Sequence, residues 1–160
     1  VLQVMGGKVE ILNRQTWGEE PVADLHVQAS ELQATIIEGD LIPRLIDEIP
    51  VIAVLATQAE GTTIIRDAQE LRVKETDRIA TVSRFLKDMG AQVEATADGM
   101  IIHGPTPLQG TTVDTSGDHR IGMAAYVAGL IASGATRING AEAINISFPG
   151  FAERFCQLLR

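Results

Sequence analysis

The chain has 160 residues, 45% of them apolar, which is enough for one buried core. A formal net charge of −8 opposes nonspecific binding to nucleic acid or to anionic membranes, so any anion site must be a local one. The single cysteine, Cys156, forms no internal disulfide, and His26, His103 and His119 lie too far apart in sequence to read as a metal-ligand cluster.

In chain order, Val1–Gly6 reads as the end of a helix, and the absence of an initiator Met suggests a fragment of a longer protein. Lys8–Leu12 and Leu25–Ala29 read as a strand pair. Pro50–Glu60 is apolar nearly all round, the pattern of a helix buried on every side, and a strand over Thr62–Arg66 follows Gly61. Asp77–Met89 reads as an amphipathic helix: Thr76 and Asp77 are N-cap types, Ile79, Val82, Phe85, Leu86 and Met89 form one stripe, and Gly90 stops it. Strands Gln92–Ala95 and Met100–His103 join through Ala97-Asp98-Gly99. A second helix, apolar nearly all round, over Arg120–Ser133 leads to a strand, Ala135–Asn139, and to an amphipathic helix over Pro149–Leu159, on which Cys156 reads as a core filler. The longest apolar stretch, Ile121–Ala132, is too short to span a bilayer.

Two stretches superpose at an offset of 73 residues, with Gly61-Thr62-Thr63-Ile64-Ile65 on Gly134-Ala135-Thr136-Arg137-Ile138 and Phe85-Leu86 on Leu158-Leu159. The same offset sets Asp47 on Arg120. This predicts an α/β fold of repeated units: a partial unit over residues 1–44, a second over 45–117 and a third over 118–160, all within one domain.

Charge concentrates at two places. Leu71-Arg72-Val73-Lys74-Glu75-Thr76-Asp77-Arg78-Ile79 sets three cations beside Glu75 at the mouth of a helix, where free N–H groups favour an anion. Asp118-His119-Arg120 directly precedes a long apolar helix, an unusual position for charge without a function.

With Leu45-Ile46-Asp47-Glu48-Ile49-Pro50 and Ser147-Phe148-Pro149-Gly150-Phe151, these motifs resemble the C-terminal half of the 5-enolpyruvylshikimate-3-phosphate (EPSP) synthase family. They occur in the family's order and span essentially the whole chain. The resemblance implies an inside-out α/β domain of βαβαββ units with central helices and outer sheets, the first unit truncated. It implies enolpyruvyl transfer from phosphoenolpyruvate to the 5-hydroxyl of shikimate 3-phosphate by addition and elimination. That chemistry uses no metal or redox cofactor, belongs to aromatic amino acid biosynthesis, and would sit in the cytoplasm, or in a plastid if the source is a plant. The other partner would be the missing N-terminal domain of the same protein, because the family's site lies in a cleft between two domains.

Carried over by position, Asp47 matches the aspartate that contacts the 5-hydroxyl; read alone, it could instead cap the following helix. Glu75 matches the proton shuttle at C3, and Lys74, Arg78 and Arg120 match phosphoenolpyruvate ligands, Lys74 being grouped with the catalytic residues as well. His119 either bonds the phosphate or positions Arg120. Asp77 and Asp118 read as caps and partners of neighbouring cations, and Arg72 as a partner of Glu70. There are two departures: Ile146 stands where some members carry Lys, and Glu70 where some carry Asn. The related UDP-N-acetylglucosamine enolpyruvyl transferases share fold and mechanism, but the motifs at Leu71–Ile79 and Asp118–Arg120 favour the shikimate enzyme. A folded half-site, inactive alone, is the reading of another class. A noncatalytic scaffold has no use for Asp47, Glu75, Arg78 and Arg120 together.

Overall fold

The computed structural model describes residues 1–158. It opens on a helical turn that closes as a Schellman motif: Gly6 takes φ +84°, Gly7 N–H donates to Leu2 O at 2.8 Å and Gly6 N–H to Gln3 O at 3.1 Å. A hairpin follows, β1 (Lys8–Trp17) with β2 (Glu20–Gln28), longer than the sequence pattern suggests because a bulge between Leu12 and Gln15 lets pairing continue to its tip. Val9 pairs with Val27 and Ile11 with Leu25, so one hairpin face is apolar, yet Leu25 and Val27 remain exposed.

From Ile36 to Gly104 the chain runs β3 (Ile36–Ile37), α1 (Ile42–Leu45), α2 (Ile49–Ala56), β4 (Gly61–Ile65), α3 (Arg78–Asp88), β5 (Gln92–Ala95) and β6 (Met100–Gly104). The strands form one sheet in the order β3-β4-β6-β5, parallel between β3 and β4 and antiparallel elsewhere. The pattern then restarts with β7 (Thr112–Asp114), α4 (His119–Ile131), β8 (Arg137–Asn139) and α5 (Phe151–Leu158), and β7 pairs parallel with β8. Ile36 faces Ile64 while Thr112 faces Arg137, and Ile64 and Arg137 are 73 residues apart, so the sequence repeat is also a repeat of parallel βαβ crossovers.

The crossover helices are shorter than their apolar patterns. α2 ends at Ala56 because Glu60 is needed by a strand ladder: its N–H donates to Leu32 O at 2.8 Å and its carbonyl accepts from Ala34 N at 2.9 Å. Likewise, α4 ends at Ile131 because Ser133 bonds Leu108 and Gly110. α2 and α4 pack together between the sheets, which gives the α/β fold its inside-out character. Their burial differs. α2 is enclosed except at Val51 and Leu55, whereas α4 buries Ile121, Ala124, Ala125 and Ala128 and leaves Leu130 and Ile131 exposed, so the expectation of burial on every side fails for α4.

α3 matches its sequence signals closely. Asp77 accepts from Ala80 N at 3.0 Å, Val82, Phe85 and Leu86 are buried, and Gly90 at φ +92° closes a second Schellman motif with Ala91 N–H on Leu86 O. Cys156 is not a core filler: it is exposed on α5, because Phe151 and Phe155 take the inward face and Cys156 lies one residue past it. Leu159, the expected end of that helix and one of the repeat matches, lies outside the described residues.

Gly99, in the β5–β6 turn, touches the Ile65 carbonyl where β4 ends against β6, and a Cβ there would overlap the oxygen. Gly99→Ala should therefore cost about 1–3 kcal/mol in urea unfolding; an unchanged midpoint would mean that the strand end moves aside freely.

Candidate active site

The charged motifs, far apart in sequence, meet at one guanidinium. Arg78 lies in the first turn of α3 with its side chain 1% exposed. Its Nε donates to Asp118 Oδ2 at 2.8 Å, Nη1 to Asp47 Oδ1 at 2.8 Å, and Nη2 to Glu75 Oε2 at 2.6 Å and Asp118 Oδ1 at 3.3 Å. All three nitrogens are therefore engaged. Local structure makes this possible: Leu71 and Ile79, both buried, pin the segment at either end, and Asp77 starts α3 so that position 78 points inward.

Asp118 is fully buried and does two jobs. It caps α4 by accepting from Arg120 N at 2.9 Å and from Ile121 N at 3.4 Å, and it takes Thr76 Oγ1 at 3.2 Å besides Arg78. Burial opposes its ionisation, but the hydrogen bond and charge of Arg78, with the two backbone N–H groups, outweigh that and hold its carboxyl below the ordinary 3.8. Asp47 follows the same logic: desolvation is overcome by the Arg78 hydrogen bond and by the charges of Arg120, Arg78 and Lys74, leaving it low as well. For Arg78, desolvation is outweighed by the bonds to Asp118 and Asp47, which push its pKa up.

Asp47 does not cap α2. Glu48 holds the N-cap position and makes no side-chain cap bond, while the Asp47 carboxylate turns to Arg78 and faces Arg120 Nη2 at 3.6 Å. Arg120 Nη1 instead donates to Glu48 Oε1 at 3.0 Å, and its Nε, out of solvent, has no partner among the described residues. Lys74 reaches Glu70 at 2.8 Å, and that hydrogen bond raises its pKa. Glu70 thus pairs with Lys74 and not with Arg72, which bonds Asp77 and the carbonyls of Thr96 and Ala97. His119, the first residue of α4, is half-buried, and its side chain makes no hydrogen bond among the described residues. Beside Arg120 lies an open cavity of about 230 Å³ between α2, α4 and α5, with Pro50, Val51, Met123 and Phe151 in its walls. Glu48 escaped the sequence reading; its adjacency to Asp47 was the only signal.

A sequence model described as EPSP synthase (3-phosphoshikimate 1-carboxyvinyltransferase) matches residues 1–155. The chain belongs to the EPSP synthase family. A Brevibacillus brevis protein named 3-phosphoshikimate 1-carboxyvinyltransferase is 63% identical over 94% of this chain and 35% of its own length. A Roseiflexus sp. relative of the same name is 55% identical over 94% and 35%. Among solved structures, EPSP synthase from Acinetobacter baumannii superposes with a TM-score of 0.94 at 38% identity, over 98% of this chain and 37% of that one. The enolpyruvyl transferase NikO from Streptomyces tendae, at 21% identity and a TM-score of 0.73 over 98% and 33% of the two chains, shares the fold. The chain spans about a third of the length of these family members.

Asp118→Ala should destabilise the protein by about 3–5 kcal/mol in urea unfolding, because it takes from Arg78 its one fully buried carboxylate, leaves Nε unpaired out of water and uncaps α4. The paired change Asp118→Leu with Arg78→Met should recover most of that loss, which separates a desolvation cost from a packing cost. The pH dependence follows from the lowered carboxyls. Their contribution to stability is present above the unfolded value of 3.8 and is lost as pH falls through the lower folded values. Wild-type stability should thus fall below about pH 4 more steeply than that of the paired variant, measured as urea midpoints against pH; equal slopes would mean the cluster does not drive acid unfolding.

Proposed function

We propose that the full-length protein transfers the enolpyruvyl group of phosphoenolpyruvate to the 5-hydroxyl of shikimate 3-phosphate, with this chain forming one wall of the site. The observation that carries the reading is the convergence of Asp47, Glu75 and Asp118 on Arg78, with Arg120 and Lys74 beside them. Family membership supports it, as does the name 3-phosphoshikimate 1-carboxyvinyltransferase borne by relatives.

In this scheme the 5-hydroxyl adds to C2 of phosphoenolpyruvate as its proton passes to Asp47 and C3 takes a proton from Glu75; the tetrahedral adduct then returns a C3 proton to Glu75 and releases phosphate, which carries the hydroxyl proton away. Asp47, kept ionised by its cations and about half exposed, accepts a hydrogen bond from the attacking hydroxyl and orients it. Glu75 gives and retrieves the C3 proton; Arg78 fixes its position at 2.6 Å. Arg120 and Lys74 meet the anionic groups, and Arg78, buried and engaged on every nitrogen, lends its charge to them while holding Asp47 and Glu75 in place. His119, whose side chain is free of protein hydrogen bonds among the described residues, donates to the phosphate or steadies Arg120. Ile146, 75% exposed, supplies no cation, so the second wall must provide the rest.

Product formation from phosphoenolpyruvate and shikimate 3-phosphate by the full-length protein is the direct test. Glu75→Gln keeps the shape and removes the shuttle, so kcat should fall about a hundredfold or more. Turnover near normal would take Glu75 out of the proton transfer. The isolated 160-residue chain should give no measurable turnover, because one cleft wall cannot orient two substrates, a contribution of about 7 kcal/mol or more. Steady product formation by the purified chain, with host enzyme excluded, would overturn the half-site reading.

A further inference from the structure

The geometry points to Glu48 as a built-in occupant of the Arg120 anion site, a carboxylate that an incoming phosphoenolpyruvate must displace; the inference rests on the function proposed above. Each cation at the site already faces a carboxylate, but the pairs are unequal. Arg78 is buried with every nitrogen engaged, and its partners Asp47, Glu75 and Asp118 are the core of the cluster. Arg120 is 30% exposed, and it gives one donor to Glu48 at 3.0 Å, stands 3.6 Å from Asp47, and leaves Nε without a partner among the described residues. Its guanidinium is therefore under-used.

The Glu48 side chain makes no other hydrogen bond or ion pair among the described residues. The residue sits at the N-cap position of α2, where a carboxylate could bond free N–H groups, yet it makes no cap bond. Its side chain is 50% exposed and can swing into solvent without leaving a buried charge behind. Arg120 also borders the open cavity between α2, α4 and α5, so a ligand carboxylate can reach the face that Glu48 covers. Binding there is an exchange of one carboxylate for another. An exchange weakens affinity by roughly the strength of a part-exposed ion pair plus the repulsion between the two anions. Glu48 thereby sets how much phosphoenolpyruvate the site requires, without touching the reacting atoms.

The experiment is a titration of phosphoenolpyruvate, and separately of inorganic phosphate, into the full-length protein and its variants by calorimetry. Glu48→Ala should tighten phosphoenolpyruvate binding about three- to tenfold, with Glu48→Gln intermediate, because the amide can still accept from Arg120. The urea midpoint should barely move, and a control that removes a distant charge, Glu19→Gln on the hairpin turn, should leave affinity unchanged. In an Arg120→Gln background the gain from Glu48→Ala should vanish. Phosphoenolpyruvate binding that weakens in Arg120→Gln but does not tighten in Glu48→Ala would overturn this inference and leave the proposed function standing. A gain of equal size in the Arg120→Gln background, or in Glu19→Gln, would also overturn it, since net charge alone would then account for the effect. If Arg120→Gln binds phosphoenolpyruvate as well as wild type does, both the exchange and the assignment of Arg120 fail.

Discussion

A guanidinium taken almost wholly out of water governs the arrangement of this domain. Burying the Arg78 charge costs several kcal/mol unless partners replace its hydration shell. Asp118 from the start of α4, Asp47 from the approach to α2 and Glu75 from the segment before α3 supply them. The three helices are thus held at their N-terminal ends by one charge, and their relative position is fixed more tightly than apolar packing alone would fix it. Asp118 extends the constraint because the carboxylate that neutralises Arg78 also caps α4, so helix start and ion pair form together.

The repeat explains why the charges converge. Each unit carries its strand through a crossover helix into a parallel neighbour, and Asp47, Glu48, Asp118, His119 and Arg120 lie at the N-terminal end of that helix or just before it. Asp47 and Arg120 occupy matching points of successive units, so packing α2 against α4 brings opposite charges to the same end. Free N–H groups and dipole ends lie there as well. An architecture of stacked crossover helices therefore builds a polar site at one end of an apolar core without a dedicated loop.

Much of this was legible in the sequence, for reasons tied to particular residues. α3 declared itself through Asp77, its stripe and Gly90, since caps and stops act locally. β5 and β6 were bounded by a clear turn and fell almost where the pattern set them. β3 and β7 were missed because two or three residues carry no periodicity; only pairing with β4 and β8 makes them strands. The ends of α2 and α4 were overrun because alanine-rich helix and the ladder beyond it look alike until Glu60 and Ser133 find their partners. At the site, residue types and motif order drew attention to side chains that the structure brings together, but not to their pairing. Arg120 and Glu48 stand 72 residues apart, and no local rule links them. Arg72 was assigned the nearest carboxylate in sequence, Glu70, whereas Asp77 and two strand-end carbonyls take it in space.

The balance of charge at the site bears on how a protein of net charge −8 can receive an anion. A bare cluster of Lys74, Arg78 and Arg120 in a dry cleft would repel itself and gather solvent ions. Carboxylates on every cation remove that cost and let the domain fold around them. The same neutrality reduces long-range attraction, so under the proposed function recognition rests on short-range exchange at the site and not on steering from a distance. Exchange in turn separates two classes of carboxylate. Asp118, fully buried, has no solvent to move into and must stay on Arg78, whereas Glu48 and Glu70, half or more exposed, can leave their cations when a better-fitting anion arrives. Under that proposal burial, more than charge, divides the residues that hold the site together from those free to yield to a ligand.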